Sequence, residues 1–186
     1  MRPIIFPALI IITLLAVDSF LMHEIPLEKS AKKFPNFSTV DFSGEECTEN
    51  IFTGKITVLC IWTAQAEICR DLLKNLDALN KNLPAGVQII GLVGNLRDAE
   101  ENFKAKKIAE EFSPTIPQLK VNDDFLPILS KVRSVPTTIF IDAQGNLIGQ
   151  PVIGAEIKFI RQELNFVLEK NSPRVKSLST IQKVFL

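Results

Sequence analysis

Histidine is almost absent from this sequence: there is one, His23. It lies in an N-terminal stretch outside the part that reads as a folded domain. A Ser-His-Asp or Cys-His triad inside that domain is therefore excluded, and so is a histidine-based zinc site. Cysteine is scarce as well, with Cys47, Cys60 and Cys69 only. An odd count leaves at least one thiol without an intramolecular partner, and three are too few for a disulfide scaffold. Net charge is missing too, since 21 Lys and Arg match 21 Asp and Glu. A nucleic-acid partner is not expected, because such binders carry a basic excess or a basic face. Internal repeats and low-complexity tracts are lacking. Nothing calls for a cofactor or a metal.

What is present is enough apolar residue for a core. A hydrophobic content of 46% over 186 residues supports one domain with appendages, without staples. The first 23 residues stand apart. Arg2 supplies one positive charge, and an apolar run follows from Pro3 to Val17. Asp18 ends that run short of the roughly 20 residues that span a bilayer. The length suits a signal-peptide core, with small residues at Val17–Ser19 for cleavage. If the run continues to Met22, it stays as a signal anchor; both outcomes mean export. Export places the domain where disulfides persist. Residues 24–33 are polar and proline-punctuated, as in a linker. The domain is expected over 34–170, with a loosely ordered tail at 171–186.

Within the domain, FSTVDFSGEE reads as a short strand or hairpin with a turn at Ser43-Gly44. TGKITVLCIWT is a continuous apolar run, suited to a strand covered on both faces. A helix is expected from about Ala66 to Leu83, with Ile68, Leu72, Leu76, Leu79 and Leu83 as its apolar stripe. GVQIIGLVG is a second buried strand. LRDAEENFKAKKIAEEF is a second helix, with Ala105, Ile108, Ala109 and Phe112 on one side. Pro114 and Pro117 bracket an irregular segment, and a short helix is expected in DDFLPILSKV. PTTIFID and NLIGQPVIG form a hairpin around Ala143-Gln144-Gly145. Ile157, Ile160, Leu164 and Val167 mark a last helix. The order β-β-α-β-α-β-β-α is an α/β fold, a mixed sheet with helices on both faces.

These segments resemble the exported thioredoxin-fold proteins of the TlpA/ResA type, membrane-tethered thiol-disulfide oxidoreductases of bacteria. The resemblance runs from about Phe34 to Lys170. TGKITVLCIWTAQAEICR resembles the strand leading into the family's redox helix, with Trp62 at the tryptophan that opens the site. VRSVPTTIFIDAQGNLIG resembles its proline loop and hairpin, and implies a thioredoxin-like fold with Pro136 at a cis position. The resemblance also implies that Val135 offers its backbone to an extended substrate segment, by strand addition. Trp62, Val135 and Pro136 are then substrate-docking residues. The implied partners are protein thiols and disulfides, or an extended peptide of an exported protein. The implied place is the periplasm or the outer face of the cytoplasmic membrane, with membrane contact through an uncleaved N-terminal segment.

The family's chemistry uses C-x-x-C at the start of the redox helix. The first thiolate is stabilised by unpaired backbone N–H groups and the helix dipole, and it attacks a substrate disulfide. The second cysteine resolves the mixed disulfide. Here the motif reads Ala66-Glu67-Ile68-Cys69. Cys69 holds the resolving position, and Ala66 stands at the nucleophile position. Leu72 stands where a carboxylate is common. A peroxiredoxin pattern is excluded, since it needs Thr or Ser at Ala66 and Pro at Trp62. Two functions follow. One is an oxidoreductase working through Cys69, with Cys60 or the exposed Cys47. The other is a catalytically degenerate redoxin that binds protein or peptide. Arg70 and Asp71 are a candidate charged pair near the site.

Overall fold

The structure, a computed structural model, describes residues 32–171. The apolar N-terminal run, the linker up to residue 31 and the tail from residue 172 lie outside the described residues. Asn171, assigned above to the tail, instead closes the last helix.

The hairpin expected in FSTVDFSGEE is β1 (Ser38–Val40) paired antiparallel with β2 (Glu46–Thr48). A 3-10 turn at Glu49–Phe52 leads to β3 (Ile56–Trp62), which is buried along nearly its whole length. Such a strand is covered on both faces, so its sequence shows no polar alternation. From β3 the chain passes through α1 (Ile68–Asn80) to β4 (Val87–Val93), then through α2 (Ala99–Phe112) to β5 (Gln118–Lys120). A 3-10 turn at Asp123–Phe125 runs into a one-turn helix, α3 (Leu126–Leu129). The hairpin of β6 (Thr137–Ile141) and β7 (Leu147–Ile153) precedes α4 (Ile157–Asn171). The main sheet has the order β5-β4-β3-β6-β7. β3, β4 and β5 run parallel, while β6 and β7 pair antiparallel.

The two faces of this sheet are covered unequally. Parallel crossovers are right-handed, and β3–α1–β4 and β4–α2–β5 step the same way, so both helices land on one face. There Val58, Cys60, Trp62, Ile89, Val93 and Phe140 meet α1, α2 and α4 through Leu72, Leu76, Ile108, Ile160 and Leu164. The other face presents Leu59, Ile61, Ile90, Leu92, Ile139 and Ile141. It is covered by Phe34, Phe37, Phe52 and Phe125, with Ile128 of the short α3. These rings pack edge-on or tilted, Phe34 against Phe52 at 5.2 Å and Phe37 against Phe125 at 4.8 Å between centroids.

Three expectations are corrected by packing. The α1 stripe omits Ile68, which is 52% exposed, and the helix stops before Leu83. The segment after Pro117 is not irregular, because Gln118–Lys120 adds a strand to β4. Gly91 lies opposite Gln118, and any Cβ there would collide with the Gln118 amide. That glycine is what lets β5 sit against β4 with its glutamine turned inward.

Candidate functional site

β3 delivers the chain at Trp62 to a short loop, Thr63 to Glu67, from which α1 departs. The helix starts at Ile68 rather than at Ala66, with Glu67 as its N-cap residue. Glu67 has helical backbone angles, and its side chain caps nothing. Ala66 closes the turn by accepting the Cys69 N–H at 3.0 Å. It is half-buried, and Cys69 one turn further is only 1% exposed. Leu72 is fully buried, so the position where a carboxylate is common is here filled by core. Arg70 does not pair with Asp71. Its guanidinium lies 3.7 Å from the exposed Glu67 carboxylate, the partner one turn back.

All three cysteines are free thiols, and the structure holds each of them protonated. Burial pushes Cys60 up to about 12, the Cys69 charge adds to it, and the Thr138 hydroxyl opposes both. Thr138 is the cross-strand partner of Cys60 on β6. Burial likewise raises Cys69, against the lowering effect of the Thr63 peptide N–H. Cys47 is raised by burial, then by the Asp41 and Glu45 charges. Cys60 and Cys69 belong to one core cluster, whereas Cys47 sits on β2, beside the phenylalanine face. A nucleophilic cysteine needs a depressed pKa and access. None of the three has the first, and the two near the helix start lack the second.

Trp62 does not line a docking surface. It is 0% exposed, and its indole N–H donates to Gln118 Oε1 at 2.9 Å. The Gln118 amide in turn donates to Ser113 Oγ at 3.0 Å, and Ser113 donates to the Ala109 carbonyl. A buried indole must satisfy its N–H. This polar chain does so and fixes the ring beneath the loop that leads to α1. Gln118 and Ser113 escaped the sequence reading, because nothing in their neighbourhood marks a partner 56 residues away.

The Val135–Pro136 peptide bond is cis. Pro136 is buried and Val135 half-buried. β3 and β6 pair Ile61 with Thr137 and Cys60 with Thr138. Extending that register past the strand ends sets Val135 opposite Thr63, the residue whose N–H faces Cys69. The loop and the start of α1 therefore share one end of the sheet. Among the described residues, the backbone N–H and C=O of Val135 enter no hydrogen bond. Also among the described residues, no group of three His, Cys, Asp or Glu side chains could hold a metal.

Comparison with known proteins agrees with this architecture. Residues 31–150 match the model of the AhpC/TSA family. No curated protein matches the chain. Among solved structures, a thiol-disulfide isomerase from Corynebacterium glutamicum superposes with a TM-score of 0.62 at 16% identity, covering 75% of this chain and 97% of the other. The thioredoxin domain of a thiol-disulfide oxidoreductase from Bacteroides vulgatus gives 0.58 at 21% identity, over 74% and 96%. An exposed lipoprotein thioredoxin from Streptococcus pneumoniae gives 0.55 at 22% identity, over 68% and 98%. These likenesses establish the thioredoxin-like fold.

Proposed function

Because the chain belongs to the AhpC/TSA family, we propose that it is an exported thioredoxin-fold protein of the thiol-disulfide oxidoreductase type that no longer runs two-cysteine exchange. It serves instead as an extracytoplasmic module that docks an extended peptide or protein segment. The observation that carries this reading is the pair Ala66 and Cys69. The half-exposed position at the mouth holds a methyl group, and the remaining thiol lies 1% exposed behind it with its pKa raised. A methyl group forms no mixed disulfide, and a buried protonated thiol attacks slowly.

Docking is supported by Val135, whose two unbonded backbone groups are what strand addition requires. Export is supported by the apolar run Pro3–Val17. The relative from Streptococcus pneumoniae is described as an exposed lipoprotein, which is in keeping with a place outside the cytoplasm.

Alkylation rates of each cysteine between about pH 5 and 10, read by mass spectrometry, test the reading. The expected result is that none of the three reacts with an apparent pKa below that of a free thiol. Rapid labelling of Cys69 at neutral pH would return the protein to the oxidoreductases.

A further inference from the structure

Two of the large apolar side chains left in solvent stand on one helix. Phe159 is 48% and Phe166 44% exposed, and both lie on α4, seven residues apart. Two turns of helix bring them to the same side, about 10 Å apart. The inward side of α4 is already used, by Ile160, Leu164 and Val167. The phenylalanines therefore contribute little to the core.

The charges around them have one prevailing sign. Lys158 Nζ lies 4.9 Å from the centre of the Phe159 ring, and Lys170 Nζ lies 4.2 Å from that of Phe166. Arg161 is exposed between them. Of the two acidic residues of α4, Glu163 is turned onto β7, where it accepts the Gln150 N–H at 2.7 Å. Glu169 remains, and Glu156 just before the helix is an exposed partner of Lys158 at 3.9 Å. The imbalance grows beyond the described residues. Residues 157–186 contain six basic and two acidic side chains, a net +4 in a chain whose total is zero. From Lys170 to Leu186 there are Lys170, Arg174, Lys176 and Lys183 and no acid, interspersed with Val175, Leu178, Ile181 and Phe185.

Aromatic side chains flanked by lysine and arginine, on a helix whose other face is committed, fit the interface of an anionic bilayer. The rings enter the headgroup boundary, the long cationic stems reach past them, and the headgroups supply the negative charge. We propose that the outer face of α4 and the basic segment after it form a membrane-surface element that recognises anionic lipid. The domain is thereby held with α4 against the bilayer. The proposal rests on the reading that the protein works beside a membrane, but it concerns a different contact from the N-terminal run.

The test uses the full chain carrying Gln162→Trp, a reporter between the two phenylalanines, on vesicles of phosphatidylcholine alone or with about one third phosphatidylglycerol. Trp62 is buried and contributes a constant background. Quenching by lipids brominated near the headgroup end of the acyl chain is expected to be at least about threefold greater on the anionic vesicles, and to fall away in about 0.5 M salt. It is expected to be lost in Phe159→Ser/Phe166→Ser, a pair of exposed substitutions that leaves the fold intact by circular dichroism. Equal quenching on both vesicle types would mean that tethering alone brings α4 close, and would overturn the proposal. Absence of quenching would overturn it too, including the case in which light scattering shows that α4 is covered by a second copy. Resistance of the bound chain to alkaline extraction reports the N-terminal segment separately, so failure there is distinguishable from failure at α4.

Discussion

α1 and α2 both leave the ends of parallel strands and pack on the same face of the sheet, yet their first turns are built differently. α2 begins at Asp98, an extended residue whose carboxylate accepts the Glu101 N–H at 2.8 Å. Glu101 reaches back to the Arg97 N–H at 2.9 Å and also takes the Gln65 amide at 2.8 Å. This is the reciprocal arrangement that satisfies orphan donors at a helix start. α1 begins at Glu67 with no side-chain cap. Its neighbours are the half-buried Ala66 and the exposed Ile68. The difference teaches that α2 starts where stability is greatest, while α1 keeps its first N–H groups free of side chains, as a redox helix must if they are to support a thiolate. The thiolate is missing and the uncapped start remains.

The comparison breaks most sharply if the missing group is returned. Ala66→Cys restores C-x-x-C at an uncapped helix start. The rate of reduction of a peptide disulfide by the pre-reduced protein is expected to rise at least about 100-fold, as a thiolate-driven exchange would. No gain would show that more than the nucleophile has been lost from this end of the sheet.

A second effect distinguishes the core beneath α1 from the core beneath α2, which offers only Ala105, Ile108 and Ala109. Cys60 keeps its proton in the fold up to about 12, against 9.0 for an unperturbed thiol. The folded-state pKa is raised, so the stabilising contribution is complete below about pH 9 and is lost as pH climbs from there towards 12. By pH 10.5 the loss is about 2 kcal/mol. Urea unfolding at pH 8 and 10.5 is expected to show that loss in the parent chain and a flatter dependence in Cys60→Ala, whatever its absolute stability.

Smaller effects sharpen the contrast between the two first turns. Asp98→Ala removes the α2 cap and is expected to cost about 1 kcal/mol in chemical denaturation. Glu67→Ala at the corresponding place in α1 removes only the exposed contact with Arg70 and is expected to change stability by less than about 0.5 kcal/mol. Equal costs at the two sites would mean that Glu67 caps α1 in solution, and the contrast drawn here would fall.

The regular elements were legible because their patterns are local. β3 and β4 announce themselves as unbroken apolar runs, and α4 as Ile160, Leu164 and Val167 at helical steps, all three buried. The departure from C-x-x-C was legible for the same reason, as four adjacent residues. β5 was not, because three residues after Pro117 are too few to show any period, and a place beside β4 makes them a strand. The role of Trp62 was misread for a related reason. Its resemblance pointed to a surface, whereas its burial depends on Gln118 arriving on β5. The joint packing of Cys60 and Cys69 in one cluster also lay beyond reach, since nothing in the chain between them fixes how α1 lies over β3.

By itself the sequence determined which segments become strands and helices, because side-chain periods of 2 and 3.6 depend only on near neighbours. It also determined that position 66 carries no sulfur, which no packing can alter. Only the tertiary structure decided that Trp62 is sealed, that Cys60 and Cys69 are held protonated in the core, and that Val135 shares an end of the sheet with Ala66. Each of those depends on desolvation and on contacts between distant segments, and both exist only once the sheet has closed over its two cores.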